Sequence, residues 1–301
     1  PATYLSERNY GYDEAGNSTS LFSVPGLEKY WGTGTFMTEA LTQEALKALD
    51  KAKKYNQPFY LYMSHYAIHV PIDKDVRFYD KYKKKGLSDK EAAYASLIEG
   101  MDKSLGDIMD WLEKNGEADN TIVIFMSDNG GYATGSGWRD EPLYTQNFPL
   151  KCGKGSAYEG GIREPMIVRW PGTVQPGTRC NDYLIIEDFY PSILEMAGID
   201  DYDVPQEIDG ISFVKQTKNH SQGRSLYWNC PNIWGEKGPG IGPSCTIRKD
   251  NWKMIYFYET GEKELYDIPN DIEENNNVAA LYPQIINKLS KELGKFLRQT
   301  N

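Results

Sequence analysis

The sequence predicts an α/β fold with a mostly parallel sheet flanked by helices, followed by a small C-terminal antiparallel sheet plus a helix. Residues 59–63 and 121–126 are short apolar runs between helical segments, as is typical of parallel strands covered on both faces. From about Arg224 the pattern changes to short strands separated by turns. We therefore expect an α/β region at 1–223 and a smaller α+β region at 224–301.

Helices are expected around the first two strands. Apolar residues recur at three- and four-residue steps over 38–54, and Gln57-Pro58 ends that segment. Ser88-Asp89-Lys90-Glu91 matches a capping box, and one apolar face continues from there to Asn115-Gly116. This pattern predicts a long second helix.

The remaining elements follow in chain order. Residues 166–170 predict a third strand, and residues 187–197 predict a helix that Gly198 ends. The C-terminal region contains four short strand patterns and a final amphipathic helix, at residues 227–228, 245–248, 253–258, 265–268 and 282–297.

Composition and charge restrict the function. The chain has 301 residues and a net charge of -10, which argues against a nucleic-acid-binding surface because such a surface is normally basic. No apolar run reaches the roughly 18–20 residues that a membrane span needs. The four cysteines show no C-x-x-C spacing of a zinc site. An acidic chain that handles an anionic substrate must therefore supply positive charge locally.

Oxygen ligands follow the strand pattern at 121–126. In parallel α/β sheets, ligands bind beyond the carboxyl ends of the strands. Asp128 and Asn129 stand at such an end and offer a carboxylate and an amide oxygen, which are ligands that hard cations such as calcium prefer. Gly130 and Gly131 follow, and an ordinary Asp-Asn-Gly turn explains the same residues, so both interpretations stand at this point.

Two other segments carry groups suited to an anionic substrate. His65 and His69 follow the strand pattern at 59–63. A single histidine near a strand end is more often a structural hydrogen-bonding group, and two histidines within a span of five residues at such an end raise the odds of a functional site. The glycine-rich segment 152–165 contains Lys154 and Arg163, although its spacing is not that of a P-loop. A generic glycine-rich loop is the alternative.

Taken in order, these segments resemble the sulfatase family, whose fold is that of alkaline phosphatase. The resemblance covers the chain from about Thr38 to its end. Its most specific part is Gly153-Lys154-Gly155 followed by Glu159-Gly160-Gly161-Ile162-Arg163-Glu164-Pro165. It further includes Ser64 with His69-Val70-Pro71, Ser127-Asp128-Asn129-Gly130, and Trp170-Pro171-Gly172.

The resemblance implies roles for these residues. Asp128 and Asn129 correspond to two calcium ligands, Lys154 to the lysine that contacts the sulfate ester, and His69 to the histidine near the leaving-group oxygen. It implies hydrolysis of a sulfated sugar or aryl sulfate, in a periplasmic, secreted or lysosomal-type compartment. Glu159 and Arg163 we interpret as an ion pair that shapes the loop.

The sequence also departs from the family's pattern. Sulfatases attack with a formylglycine made from a Cys or Ser in a Cys/Ser-x-Pro-x-Arg motif, and none of the four cysteines begins that motif. The early strand with paired aspartates that completes the calcium site is absent as well. We therefore expect a C-terminal portion of a longer sulfatase, with 1–223 as the remaining part of the catalytic domain. Its expected partners are the missing segment, or a second copy bound through an exposed sheet edge.

Two alternatives to an active sulfatase remain. Phosphodiesterases and phosphonate hydrolases of the same superfamily more often have a histidine where Asn129 stands, so Asn129 favours a sulfatase. An inactive fragment that only binds sulfated glycans is the other alternative, and the missing nucleophile favours it for the isolated chain.

Overall fold

The structure, a computed structural model, describes Leu5 and residues 24–199, 201–214 and 223–299. The chain forms two compact units. The first comprises Pro1–Ile124, Ser136–Glu141 and Val168–Val174, and the second comprises Phe125–Gly135, Pro142–Ile167 and Gln175–Asn301. The predicted domain boundary at residue 223 stays a prediction. No helix in the described part of the chain combines the length and apolarity that crossing a membrane requires.

Three helices build most of the first unit. They are α1 (Met37–Lys54), α2 (Val76–Lys84) and α3 (Asp89–Lys114), so the predicted helices at 38–54 and after Ser88 are present, and α2 was not predicted. Polar contacts join α1 to α3, among them two that involve buried or half-buried side chains. The hydroxyl oxygens of Thr42 and Ser104 lie 2.6 Å apart, and the Trp111 indole donates to Asp50 at 2.7 Å.

The start of α3 uses only half of the predicted capping box. The Ser88 hydroxyl accepts the Glu91 N–H at 3.2 Å, as expected. The Glu91 carboxylate does not return to Ser88 but accepts two hydrogen bonds from Arg139, at 2.9 and 2.8 Å, and one from the Asp140 N–H. A charged partner on another segment has thus replaced the local cap, because a bidentate arginine pair is the stronger interaction.

The segment 59–63 is not the buried strand that its apolar run predicts. Its side chains alternate, with Phe59 and Leu61 packed against the cluster around Leu49 and Leu112, whereas Tyr60 is 71% exposed and Tyr62 is 78% exposed. No strand is assigned to these residues. Alternation follows from an extended backbone, in which successive side chains point to opposite sides, so only one side of this segment is covered.

Two short strands form a two-stranded sheet: β1 (Val123–Met126) and β2 (Met166–Arg169), at the predicted positions. The Ser127 N–H, just after β1, donates to the carbonyl of Pro165, just before β2, at 3.4 Å. The end of β1 therefore lies beside the beginning of β2, and this pair runs in opposite directions.

The C-terminal antiparallel sheet has the predicted composition. It contains β3 (Ser225–Cys230), β4 (Ser244–Lys249), β5 (Trp252–Phe257) and β6 (Lys263–Asp267), paired antiparallel in that order. The last helix, α6 (Pro283–Gln299), packs Leu289 and Leu293 against Ile247, Met254 and Leu265 of the sheet. Two shorter helices precede this sheet: α4 (Glu159–Ile162) and α5 (Phe189–Met196), the latter within the predicted 187–197.

Candidate functional site

Asp128 and Asn129 lie immediately after β1, in the second unit. The Ser127 hydroxyl donates to the Asn129 carbonyl at 3.0 Å, and the Gly130 N–H donates to the Gly161 carbonyl at 3.1 Å. A Cβ placed on Gly130 would lie 1.8 Å from the Gly160 carbonyl oxygen. Glycine is therefore required at position 130, because any side chain there would prevent the backbone of this segment from approaching the backbone at Gly160 so closely.

The Lys154 loop, residues 152–158, lies against the same segment. The Lys154 N–H donates to the Gly131 carbonyl at 3.1 Å. The Asn147 side-chain amide bridges the two segments by donating to the carbonyls of Gly131 and Cys152, both at 2.8 Å. The structure thus brings together three of the predicted site residues, Asp128, Asn129 and Lys154.

The ammonium group of Lys154 is available for an anion. Lys154 is half-buried, and within the described residues it forms no ion pair, whereas its neighbours in the sequence have fixed partners. Lys151, for example, donates to the Glu274 carbonyl at 2.9 Å and lies over the Tyr158 ring. A half-buried cation without a carboxylate partner attracts an anionic ligand more strongly than a paired one.

A buried ionic cluster anchors the helix that follows the Lys154 loop. Glu159, the first residue of α4, accepts a hydrogen bond from Lys253 at 3.1 Å, and its N–H donates to Glu274 at 2.5 Å. Lys253 also lies 2.8 Å from a Glu274 oxygen. Arg248 lies 3.4 Å from Glu159, and the predicted partner Arg163 is farther away at 3.5 Å and half exposed. The loop architecture thus depends mainly on the C-terminal sheet.

Glu164 adds a second carboxylate near Asp128. Burial, and then the negative charge of Asp128, raises the pKa of Glu164 from 4.5 to about 7. Its Oε1 atom is buried and has no hydrogen-bond partner among the residues that the structure describes. Two neighbouring carboxylates, one with an unsatisfied oxygen, make a site that is short of positive charge.

These groups fit part of the shell of a hard divalent cation. Carboxylate and amide oxygens are suitable ligands, and the excess negative charge around Asp128 and Glu164 would be neutralised by such an ion. The described ranges contain no group of three or more His, Cys, Asp or Glu side chains that could hold a metal on its own. The site as described therefore supplies some of the ligands and not a complete cage.

Glu164 predicts a pH dependence of stability in the metal-free protein. Because its pKa is raised from 4.5 to about 7 on folding, its contribution is present below pH 4.5 and is lost as the pH rises through 7. We expect Glu164→Gln to reduce this loss by about 1 kcal/mol, after allowance for solvent screening of a half-exposed group. Urea unfolding at pH 5 and at pH 8, in the presence of a chelator, measures the change in the free energy of unfolding between the two pH values. Glu207→Gln, which replaces an exposed carboxylate, is the control. If the free energy of unfolding depends on pH in the same way in wild type and in Glu164→Gln, the prediction is contradicted.

The two histidines of the first unit differ in their surroundings. Burial lowers the pKa of His65, because an apolar environment disfavours the imidazolium form. His69 is exposed, and its Nδ1 lies 2.9 Å from the Val70 carbonyl. A carbonyl can only accept, so Nδ1 carries a hydrogen and Nε2 is the nitrogen left for other partners. Of the two histidines, His69 is better suited to donate a proton, and its place beside the leaving group stays a prediction.

Some contributors could not be found by sequence reasoning. Lys253 lies in the strand pattern Lys253–Tyr258, and nothing in that pattern distinguishes a buried ion-pair lysine from an exposed one. Glu274 is 115 positions from Glu159. Glu164 was visible inside the glycine-rich segment, but its raised pKa depends on the distance to Asp128, which only the fold determines.

Comparison with known proteins places these features in one family. A family model described as Sulfatase matches residues 3–199, and a model described as N-sulphoglucosamine sulphohydrolase, C-terminal, matches residues 153–299. A "Sulfatase" of Formosa agariphila is 32% identical over 90% of this chain and 52% of its own length. An N-acetylgalactosamine-6-O-sulfatase of Bacteroides thetaiotaomicron is 30% identical over 92% of this chain and 55% of its own length.

A solved structure supports the same fold. The crystal structure of Ps i-CgsB in complex with k-i-k-neocarrahexaose aligns with a TM-score of 0.75 and 29% identity, covering 87% of this chain and 55% of that one. The chain thus spans about half the length of the curated relatives it matches. The alkaline-phosphatase-like α/β fold with a C-terminal antiparallel sheet and helix is confirmed. The chain belongs to the sulfatase family.

Proposed function

We propose that the protein hydrolyses sulfate esters of sugars and that this chain supplies four groups of the active site. Lys154 binds the sulfate group, Asp128 and Asn129 bind calcium, and His69 donates a proton to the leaving-group oxygen. The observation that supports the proposal is the backbone hydrogen bond from the Lys154 N–H to the Gly131 carbonyl, which joins the Asp128 segment to a lysine that has no ion pair within the described residues.

The chemistry of these groups suits a sulfate monoester. Its charge is spread over the non-bridging oxygens, so a fixed ammonium group stabilises charge that develops during transfer. When the S–O bond to the alcohol breaks, the departing oxygen needs a proton, and the Nε2–H of an imidazolium His69 can supply it. A divalent cation, which the family generally implies, would neutralise further charge on the transferring group.

The sugar part of the proposal has separate support. One relative is named an N-acetylgalactosamine-6-O-sulfatase, and the crystal structure of Ps i-CgsB is that of a complex with k-i-k-neocarrahexaose. Members of the family are often secreted or lysosomal, which agrees with a substrate of that kind. We propose such a compartment for this protein.

Binding of inorganic sulfate to the chain tests the assignment of Lys154. We expect Lys154→Ala to weaken sulfate binding about tenfold or more, because the charge-assisted contact is lost. Titration calorimetry or chemical-shift perturbation measures the affinity. Lys295→Ala, an exposed lysine of α6, is the matched control and should leave the affinity unchanged. Equal losses in the two variants would indicate non-specific attraction and overturn the assignment.

Measurement of turnover distinguishes the proposed sulfatase from its two alternatives, a phosphodiesterase or phosphonate hydrolase and an inactive fragment. Because no Cys/Ser-x-Pro-x-Arg motif occurs in the sequence, we expect this chain by itself to bind sulfate without hydrolysing 4-nitrophenyl sulfate. Turnover that Lys154→Ala abolishes would require another nucleophile. Preferential hydrolysis of a phosphate diester or a phosphonate ester would favour the other branch of the superfamily, against which Asn129 argues.

A further inference from the structure

The connection between β3 and β4, residues 231–243, lies on the Lys154 loop. The Ser156 hydroxyl donates to the Pro239 carbonyl at 2.8 Å, and the Ala157 N–H donates to the Gly240 carbonyl at 2.9 Å. A Cβ on Gly240 would lie 2.6 Å from the Ser156 hydroxyl oxygen. This contact between two backbones holds the β3–β4 connection next to Lys154.

Trp234 of this connection lies against the residue that follows Lys154. A Cβ placed on Gly155 would be 2.2 Å from both Cε3 and Cζ3 of the Trp234 indole. Gly155 also has a φ of +83°, so glycine is required here for two separate reasons. One edge of the indole is thus covered by the Lys154 loop, whereas 36% of the Trp234 residue remains exposed to solvent.

Three further hydrogen bonds fix the connection at Glu236 and Lys237. Glu236 accepts hydrogen bonds from the Tyr132 hydroxyl at 3.2 Å and the Thr134 hydroxyl at 3.1 Å, and both residues follow the Asp128–Gly131 segment. The Tyr144 hydroxyl donates to the Lys237 carbonyl at 3.2 Å. Trp234 is therefore presented by a segment that is fixed between Glu236 and Gly240, so little conformational entropy is lost when a ligand contacts the ring.

We propose that Trp234 is the platform on which the sugar ring of the substrate stacks while Lys154 binds its sulfate group. This rests on the proposed function. A pyranose ring has one face lined by C–H bonds, whose slightly positive hydrogens are attracted to the negative face of an aromatic ring. A large ring packed on Gly155, which follows a lysine without an ion pair among the described residues, matches a ligand with an apolar face beside a sulfate.

Binding of three probes tests the proposal: N-acetylgalactosamine 6-sulfate, unsulfated N-acetylgalactosamine and inorganic sulfate. We expect the sulfated sugar to bind wild type more tightly than either of the others. Trp234→Ala should weaken the sulfated sugar roughly tenfold while the affinity for inorganic sulfate stays unchanged, because the platform contacts only the ring. Trp234→Phe should retain affinity to within about threefold, since it keeps an aromatic face.

Two matched variants separate stacking from general apolar contact. Trp234→Leu keeps apolar bulk without an aromatic face and should behave like Trp234→Ala. Ile233→Ala changes the neighbouring side chain, which is 77% exposed, and should leave all three affinities unchanged. The proposal that Trp234 is the platform would be overturned if Trp234→Leu or Trp234→Ala bound the sulfated sugar with wild-type affinity. It would also be overturned if Ile233→Ala lost as much affinity for the sulfated sugar as Trp234→Ala.

The probes also separate this inference from the function on which it rests. If wild type binds inorganic sulfate in a Lys154-dependent way and Trp234→Ala leaves the sulfated sugar unaffected, only the platform is wrong. If wild type does not bind inorganic sulfate, the proposed function fails and the platform fails with it.

Discussion

Lys253→Ala is expected to lower the free energy of unfolding by about 3–5 kcal/mol, the usual cost of removing one partner from a buried ionic group. Lys253 is fully buried and lies 3.1 Å from Glu159 and 2.8 Å from Glu274, both of which are themselves buried. Without the ammonium group, the buried Glu274 carboxylate loses its ion-pair partner, and Glu159 keeps only Arg248 and the half-exposed Arg163. Chemical denaturation at pH 7 measures the loss.

The pKa shifts of the two carboxylates support this expectation. Burial alone would raise the pKa of Glu159, but the positive charges of Lys253 and Arg248 hold it below its ordinary value. Burial raises the pKa of Glu274, and the attraction of Lys253 only partly offsets it. Burial of the Glu274 carboxylate is thus already unfavourable in the presence of Lys253. Removal of the lysine makes the burial of both carboxylates more unfavourable still.

A second variant separates charge from volume. Lys253→Met retains most of the side-chain stem, so we expect it to remain strongly destabilised at pH 8 because the carboxylates are uncompensated. The deficit relative to wild type should shrink at pH 4, since protonation removes the buried negative charge and the wild-type Glu159 stabilisation also weakens as the pH falls. Lys47→Ala, in an exposed pair with Glu44, is the control and should leave the free energy of unfolding nearly unchanged. A deficit that is the same at both pH values would contradict the ionic explanation.

Gly130→Ala is expected to destabilise the protein by about 3 kcal/mol or more, because the new methyl group meets backbone and cannot be accommodated by a side-chain rotation. Its Cβ would lie 1.8 Å from the Gly160 carbonyl oxygen and 2.9 Å from the Gly161 Cα. Relief of this clash requires the Asp128 segment to move away from α4, which would break the hydrogen bond from the Gly130 N–H to the Gly161 carbonyl. Thermal unfolding of the variant measures the cost.

Gly106→Ala is the matched control for this substitution. Gly106 lies inside α3 with no atom within 4 Å of its ideal Cβ, so alanine there should stabilise the protein by about 0.5–1 kcal/mol. The two substitutions thus have opposite expected signs for the same chemical change. A tolerated Gly130→Ala would mean that the close approach of the two segments does not contribute to the fold.

The helices and the C-terminal sheet could be predicted because they depend on local periodicity. The apolar pattern of 38–54 and the strands of residues 225–267 correspond to elements of the structure within a few residues. The errors arose where a distant partner decided the outcome. Glu91 binds Arg139 in place of closing the capping box, and residues 59–63 bury one side only. Arg139 is 48 positions from Glu91, and the side chains of residues 59–63 pack partly against Leu112 of α3. No local pattern could reveal either contact.

By itself the sequence indicated the family, which the family model confirms. It also predicted Asp128, Asn129, Lys154 and His69 as site residues, because the order and spacing of short motifs are properties of the chain. Only the tertiary structure decided that the Lys154 loop lies against the Asp128 segment. The hydrogen bond between Lys154 and Gly131 joins positions 23 apart, and it depends on glycines that allow the two backbones to approach closely. The tertiary structure also decided that Lys253 is a buried ion-pair partner and that Trp234 lies beside Gly155. Both facts follow from packing, which brings together residues that no sequence spacing relates.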